Sequence, residues 1–280
     1  MLKVGRFEVF HFVESRFHLD GGTMFGVIPK IMWQKLIPAD DKNLIPMDNN
    51  LYVVRAHGKN ILLDTGLGDA LTEQDRKVYN CWTASNMLPG LKSIGFTPDD
   101  IDFVFFSHLH TDHLGGAVRL ENGRKLPLFR KARHLIQKKE WEDAQKPDER
   151  TGAVYLPDDL AALEEAKLVE LFDGEAQILL GLRLRLTGGH TPGHQGCIIS
   201  DGGSTLVYYA DIFPSRFHIK TAYVAGVDLF PRETMKLKRE LVPKFASEGT
   251  LIAFDHDLQV KIGRLEEKDG RLTAAPVNLN

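Results

Sequence analysis

The sequence predicts an α/β (α+β) protein in which two β-sheets pack together and helices cover their outer faces. Apolar, β-rich runs alternate with helical segments along the chain, which favours this arrangement. Several of these runs are separated by turn residues that are typical of antiparallel hairpins. The chain has 280 residues, of which 43% are hydrophobic and 26% charged, so it is long enough to bury a substantial core. We therefore expect one domain that spans residues 1–280.

Strand patterns dominate the first half of the chain. The N-terminal residues alternate like a strand, and residues 51–64 predict two strands joined by a turn at His57-Gly58-Lys59-Asn60. Thr97 followed by Pro98 predicts a short helical turn, because proline is favoured at the first helical position. This turn leads into a buried strand, IDFVFF, and then come a strand in ARHLIQ and a helix over Lys138–Gln145.

The second half begins with an amphipathic helix that starts near Pro157. Strands are then predicted in KLVELF, QILLGLRLRLT, GCIIS and STLVYYAD. A long helix over roughly residues 232–247 ends at Gly249, and TLIAFDHD is the last core strand. A terminal hairpin turns at Asp269-Gly270.

The segment from about residue 20 to residue 46 has no clear periodicity. It is rich in Gly, Pro, Met, Phe and Trp. One interpretation is an irregular surface loop packed onto the core, and another is an apolar flap over a substrate pocket, because long ordered loops are often functional. The same apolar loop could equally form the contact of a homodimer.

Charge and composition argue against several classes of function. The net charge is −3 and the pI is about 6.4, which does not favour a nucleic-acid or anionic-membrane partner. The longest apolar runs are shorter than the roughly 20 residues that a membrane span needs, and the N-terminus does not resemble a signal peptide. Two cysteines, Cys81 and Cys197, do not make a disulfide framework, so we expect a cytoplasmic protein.

The strongest motif is FSHLHTDHLGG, which directly follows a predicted buried strand. It places His108, His110, Asp112 and His113 on one loop, and we expect Gly115-Gly116 to let the backbone turn sharply behind them. Polar groups at a strand end are costly unless they find partners. A metal ion is the partner that explains this composition.

Three further residues stand at the ends of distant apolar runs. These are His190 in GGHTPGH, Asp211 in YYAD and His256 in FDHD. A single histidine in such a position is more often a surface residue than a ligand. Taken together with the first loop, five histidines and two aspartates are enough for two metal ions that share a bridging carboxylate.

These motifs, together with Asp64 in LLDTG, resemble those of the metallo-β-lactamase superfamily over about residues 50–257 and in the expected order. The resemblance implies a four-layer αββα sandwich with the site at the open edge of the two sheets. It also implies that His108, His110 and His190 hold one metal ion, that Asp112, His113 and His256 hold the second, and that Asp211 bridges them. Asp64 would orient the ligand loop through hydrogen bonds.

The resemblance implies hydrolysis by a hydroxide that bridges two divalent ions. Because all donors are nitrogen or oxygen atoms, zinc is the first choice, with iron, manganese or cobalt as alternatives. Asp112 would be both a ligand and a proton shuttle to the leaving group.

Within the superfamily the sequence is most similar to the lactonase branch, which includes N-acyl homoserine lactonases, and to its organophosphate-hydrolysing neighbours. Zinc β-lactamases are disfavoured, because two subclasses have cysteine at the position of Asp211 and the third lacks the bridging aspartate. Some homoserine lactonases have a tyrosine where this chain has Pro214, and His218 is one candidate for the missing donor to the substrate. The alternative for His218 is a structural role.

The expected substrate is a small ester or lactone, held in part by apolar side chains. Candidates for its pocket are Met24, Phe25, Trp33 and Phe106. Alternative functions are a phosphotriesterase, another ester or thioester hydrolase, or a persulfide-dioxygenase-like enzyme with a single iron. A binding protein that keeps the metals only for structure is a further alternative.

Overall fold

A computed structural model describes residues 1–81 and 83–279 of the protein. Sixteen strands form the framework of this described part. The first nine are β1 (Leu2–Val4), β2 (Phe7–Asp20), β3 (Leu44–Ala56), β4 (Lys59–Leu63), β5 (Phe103–Phe105), β6 (Val118–Glu121), β7 (Arg124–Pro127), β8 (Arg133–Gln137) and β9 (Val169–Phe172). The others are β10 (Ala176–Leu179), β11 (Leu182–Leu186), β12 (Gln195–Asp201), β13 (Ser204–Tyr208), β14 (Leu251–Ala253), β15 (Ile262–Lys268) and β16 (Arg271–Pro276).

These strands form two seven-stranded sheets and a separate hairpin. The first sheet has the order β1-β2-β3-β4-β5-β8-β9, the second contains β10 to β16 in chain order, and β6 pairs with β7. Strands β4, β5, β8 and β9 are parallel to one another, and so are β13 and β14, whereas the remaining pairs are antiparallel. The predicted turn between β3 and β4 consists of His57 and Gly58, both with positive φ, as a two-residue hairpin loop requires.

The described part of the chain also contains four short 3-10 helices, one of them the predicted turn at Pro98–Asp100, and eight α-helices. The α-helices are α1 (Gly21–Phe25), α2 (Lys30–Trp33), α3 (Glu73–Val78), α4 (Met87–Ser93), α5 (Thr111–Leu114), α6 (Lys138–Gln145), α7 (Pro157–Glu165) and α8 (Pro231–Glu248). The long helix α8 begins at a proline and ends at Gly249, whose φ of 64° is the left-handed conformation predicted for this position. None of the helices in the described residues is long and apolar enough to cross a membrane.

The two sheets pack face to face between two layers of helices. Apolar side chains of β3, β4 and β5 meet those of β11, β12 and β13 in the buried layer between the sheets. Helices α4, α6 and α7 cover the outer face of the first sheet, and α8 covers the outer face of the second. This is the four-layer αββα sandwich that the sequence predicts, and the fold class is confirmed.

The topology brings several strand ends to one edge of the sandwich. Because β4 and β5 are parallel neighbours, their carboxyl ends lie side by side. In the second sheet, β11 and β13 are both antiparallel to β12, and β14 is parallel to β13, so these three strands also end at one edge. The predicted metal ligands and Asp64 all follow these ends.

The segment from residue 20 to residue 46 is more regular than its composition suggests. It contains α1 and α2, and its last three residues already belong to β3. The two short helices pack closely, since a Cβ atom at Gly21 would lie 2.1 Å from the ring of Trp33. Asp20 caps α1 by accepting hydrogen bonds from the backbone N–H groups of Gly22 and Thr23.

Candidate metal centre

The first ligand loop leaves the end of β5 and runs into the single turn of α5. The carbonyl of His113 accepts hydrogen bonds from the backbone N–H and the hydroxyl of Thr65, at 2.8 and 2.7 Å, which fixes this loop to the segment after β4. Gly115 and Gly116 form a tight 3-10 turn with Ala117 behind the loop, but without the left-handed conformation that glycine allows. Gly115 has a φ of −58°, and neither Gly115 nor Gly116 is among the residues with positive φ. Glycine is needed at both positions because there is no room for a side chain. A Cβ atom at Gly115 would lie 2.3 Å from the carbonyl oxygen of Leu67, and a Cβ atom at Gly116 would lie 2.0 Å from the carbonyl oxygen of Thr65.

Two groups of buried side chains meet at this edge, and each could hold a metal ion. In the first group, ligand atoms of His108, His110, His190 and Asp211 all lie within 4.8 Å of one another. The Nε2 atom of His190 lies 3.1 Å from Oδ2 of Asp211 and 3.1 Å from Nδ1 of His110. The Nε2 atom of His108 lies 3.9 Å from the same aspartate oxygen.

The second group contains His113, Asp211, Asp255 and His256. The other oxygen of Asp211, Oδ1, lies 3.3 Å from Nε2 of His256 and 3.8 Å from Nε2 of His113. Asp112 is close as well, since its Oδ2 lies 3.5 Å from Nε2 of His256. The structure thus brings all seven predicted ligands together, with one oxygen of Asp211 facing each group.

The atoms that face the two groups lack the partners that buried polar atoms normally have. Nε2 of His108, Nε2 of His113 and Oδ1 of Asp211 are buried without a hydrogen bond to any described residue. Burial and the neighbouring imidazoles of His113, His110 and His190 lower the pKa of His108 well below its ordinary value, which keeps it in the neutral form that binds metals. Metal ions would satisfy these orphaned atoms, so the donor set fits divalent cations.

Carboxylates behind the two groups orient the histidine rings. Asp64 follows β4 with a φ of 55°, and it accepts hydrogen bonds from the N–H and hydroxyl of Ser107, from Nδ1 of His113 and from the hydroxyl of Tyr208, all at 2.7–2.9 Å. This is the placement that the resemblance implies for Asp64. Asp228 accepts a hydrogen bond from Nδ1 of His190 at 2.8 Å, which directs Nε2 of that ring toward the first group.

Sequence reasoning missed Asp228, Glu140 and Asp255. Glu140 accepts hydrogen bonds from the backbone N–H of Leu109 and the hydroxyl of Thr191, so it joins both ligand loops to the start of α6. No sequence signal distinguished it or Asp228 from exposed acidic residues. Asp255 did carry a signal, because it directly precedes His256 at the end of a strongly apolar strand.

The prediction that His218 donates to a substrate is wrong. Its side chain is buried, with Nδ1 at 2.8 Å from the hydroxyl of Ser215 and Nε2 at 2.8 Å from the carbonyl of Met24. Burial lowers the pKa of His218 to about 3, so the ring is neutral and both of its nitrogens are engaged within the protein. The histidine joins the segment after β13 to α1.

A cavity of about 440 Å³ opens onto the two groups. Asp112, Asp211, His110 and His256 line its floor. Its walls are mainly apolar and include Leu19, Met24, Val78, Val154, Val227 and Leu229, with Tyr79, Arg150 and Thr151 among the polar residues.

Of the four predicted pocket residues, only Met24 lines this cavity. The prediction is wrong for Phe25 and Trp33, which stack on each other in a buried cluster behind α1, with ring centroids 5.4 Å apart. It is also wrong for Phe106, which packs in the core between the first sheet and its helices. Large apolar side chains are more often core residues than ligand contacts, and these three follow that rule.

The fold and the two His/Asp groups at one sheet edge define a metal-dependent hydrolase. A family profile described as "Metallo-beta-lactamase superfamily" matches residues 44–256, which is most of the chain. The chain belongs to the metallo-beta-lactamase superfamily.

Several relatives are lactonases by name. The N-acyl homoserine lactonase of Bacillus cereus is 26% identical over 234 residues, which cover 79% of this chain and 86% of the relative. The N-acyl homoserine lactonase AttM of Agrobacterium fabrum is 34% identical over 116 residues, which cover 39% of this chain and 40% of the relative.

Solved structures show the same fold over the whole chain. A probable metal-dependent hydrolase from Staphylococcus aureus is 27% identical, with a TM-score of 0.90 and coverage of 98% of this chain and 97% of the other. The dizinc quorum-quenching lactonase AidC is 22% identical, with a TM-score of 0.81 and coverage of 100% and 97%. At that identity, the similarity to AidC shows the fold alone.

Proposed function

We propose that the protein is a dinuclear lactonase that opens lactones bearing an apolar substituent. N-acyl homoserine lactones are the first substrates to test, because relatives that align with most of this chain carry that name. The proposed metals are two divalent ions, zinc first. The proposed ligands are His108, His110 and His190 for one ion, Asp112, His113 and His256 for the other, and Asp211 between them.

The observation that carries this proposal is the composition of the cavity. Its floor is formed by polar groups of the metal centre and its walls mainly by aliphatic side chains. A substrate that fits both parts has one hydrolysable polar group and an apolar chain or ring attached to it. An acylated lactone meets this description, and so does a neutral phosphotriester.

Residues of the chain itself would orient the substrate and handle its protons. Two bound metal ions would supply Lewis acidity and would lower the pKa of a water molecule towards about 7. Asp112 lines the cavity floor, and in this proposal its carboxylate takes the proton that the attacking water gives up and passes it to the ring oxygen released from the lactone.

Some homoserine lactonases have a tyrosine at the position of Pro214, and this chain therefore needs another donor to the substrate carbonyl. Tyr79 is the best-placed residue for this role. It lines the cavity, and its ring is largely buried. Burial and the negative charge of Asp112 raise the pKa of Tyr79 well above its ordinary value. The phenol of the metal-free protein is therefore protonated and can donate a hydrogen bond.

The proposal is tested by turnover of the metal-loaded protein on a panel of γ-lactones, short- and long-chain N-acyl homoserine lactones, and a phosphotriester. We expect lactone opening, and its loss in Asp211→Asn. The matched control is Asp173→Asn, the same substitution at an exposed position outside the cavity lining, which should keep full activity.

Two results would each contradict one part of this proposal. Hydrolysis of the phosphotriester without any lactone would assign the protein to organophosphate hydrolysis. Full lactone activity with only one tightly bound metal ion per chain would contradict the dinuclear centre.

A further inference from the structure

Asp255 is a buried carboxylate that lies at the metal centre without a hydrogen-bond donor. It follows β14, and the residue is only 2% exposed. Neither of its side-chain oxygens accepts a hydrogen bond from any residue in the part of the chain that the structure describes. A buried ionised carboxylate is costly unless a cation neutralises it. Its charge can therefore be balanced by a proton shared with Asp211, by a protonated His256 imidazole or by a metal ion.

The surroundings of Asp255 favour a metal ion. Oδ2 of Asp255 lies 3.3 Å from Nε2 of His256, and one oxygen of Asp255 lies within 4.8 Å of the ligand atoms of His113, Asp211 and His256. Within the described residues, Nε2 of His113 and Oδ1 of Asp211 also have no hydrogen-bond partner. Orphaned nitrogen and carboxylate atoms that surround one point are what a divalent cation binds.

We propose that Asp255 is an additional ligand of the second metal ion, beside Asp112, His113 and His256. This inference rests on the dinuclear centre proposed above and adds a ligand to it. The second ion would be surrounded by two imidazoles and by the carboxylates of Asp112, Asp211 and Asp255. The first ion would have three imidazoles and a share of Asp211.

The two positions then differ in the metal that they prefer. Imidazole-rich sites suit zinc, whereas carboxylate-rich sites suit harder ions such as manganese. We expect the first position to take Zn²⁺ and the second to accept Mn²⁺ beside it. Loss of Asp255 should therefore weaken Mn²⁺ binding more than Zn²⁺ binding.

The test is a metal titration of the chelator-treated protein, first with Zn²⁺ and then with Mn²⁺, followed by calorimetry and by the Mn²⁺ electron paramagnetic resonance signal. In Asp255→Asn we expect the first equivalent to be unchanged and the second to bind at least roughly 10- to 100-fold more weakly, since this is the loss seen even for residues that only orient metal ligands. Asp257→Asn is the matched control, because the Asp257 carboxylate is already hydrogen-bonded by Arg216, Gln259 and Val260. Its second equivalent should bind as in the wild type.

A second variant separates direct coordination from an indirect effect on His256. Asp255→Cys loaded with Co²⁺ should show a thiolate-to-cobalt charge-transfer band in the near ultraviolet, which the wild type lacks. Absence of that band in the folded, cobalt-loaded variant, or unchanged affinity of Asp255→Asn for the second equivalent, would overturn the inference. None of these readouts uses a lactone, so a protein inactive on every lactone would refute the proposed substrate and leave the metal result to stand by itself.

Discussion

Tyr79 is the residue on which the proposed orientation of the substrate depends. Replacing it with phenylalanine removes a buried hydrogen-bond donor and changes little else in the cavity wall. We expect kcat/KM for the best lactone to fall roughly 10- to 100-fold in Tyr79→Phe, because a donor that stabilises a developing oxyanion contributes at least this much. Steady-state kinetics with metal analysis of the same samples measures the effect, and the metal content should not change.

The matched control for this substitution is Tyr223→Phe. Tyr223 belongs to the same buried cluster as Tyr79, but it does not line the cavity. Its kcat/KM should stay close to that of the wild type. Equal activity of Tyr79→Phe and the wild type would show that the substrate carbonyl has another donor.

Histidines illustrate how one residue type takes opposite roles in this protein. His108 has a buried Nε2 without a partner, which suits a ligand, whereas both nitrogens of His218 are hydrogen-bonded by the protein. The two side chains are equally buried. What differs is whether backbone and hydroxyl groups of the protein already form hydrogen bonds with both ring nitrogens.

At the scale of elements, the ligand loop between β5 and β6 is held by close backbone contact rather than by a special turn. Gly116 lies against the carbonyl of Thr65, and Thr65 in turn holds the carbonyl of His113. We expect Gly116→Ala to lower the free energy of unfolding by roughly 2–4 kcal/mol, because its Cβ would overlap a backbone oxygen that cannot move freely. Displacement of Thr65 should also weaken binding of the second metal equivalent.

Urea denaturation and metal titration of Gly116→Ala measure these effects. Gly152→Ala is the control, since its Cβ would lie 3.2 Å from the nearest backbone oxygen, on an exposed turn. It should cost less than about 1 kcal/mol. Wild-type stability and metal binding in Gly116→Ala would mean that the loop accommodates a methyl group and that its packing against Thr65 is not needed.

At the scale of the whole molecule, a buried lysine should make stability depend on pH. Lys238, on α8, is 1% exposed, donates to the carbonyl of Tyr223 at 2.6 Å and lies 5.6 Å from the ring centroid of Phe213. Burial lowers the pKa of Lys238 from 10.5 to about 7. Between these two values the unfolded chain binds one more proton than the folded protein, so stability rises with pH.

We therefore compare the wild type with Lys238→Met, which keeps a side chain of similar size without the charge. From about pH 7 to about pH 10, the free energy of unfolding of the wild type relative to the variant should rise by up to roughly 1.4 kcal/mol per pH unit. Below about pH 7 the difference should be flat, because both states of the wild type carry the proton. Denaturation of the metal-free proteins across this range measures it, and a difference independent of pH would mean that Lys238 stays charged in the folded protein.

The sequence alone determined the class of fold and most of the side chains that meet at the candidate metal centre. The reason is that the signals act over only a few residues. Such signals are alternating apolar runs, a proline at the start of a helix and a glycine at its end. Helix α8 with Gly249 forms as these signals predict. Four of the seven proposed ligands lie within six consecutive residues, from His108 to His113, so their proximity did not depend on the rest of the fold.

Only the tertiary structure decided which other polar and apolar side chains belong to the site. Asp255 and Asp228 reach the centre because distant segments end at the same edge of the sandwich, and Tyr79 reaches the cavity from the end of α3. Phe25, Trp33 and Phe106, which have the composition of a ligand pocket, are instead buried behind it. Composition records what a side chain can contact, whereas the packing of segments far apart in the chain decides what it does contact.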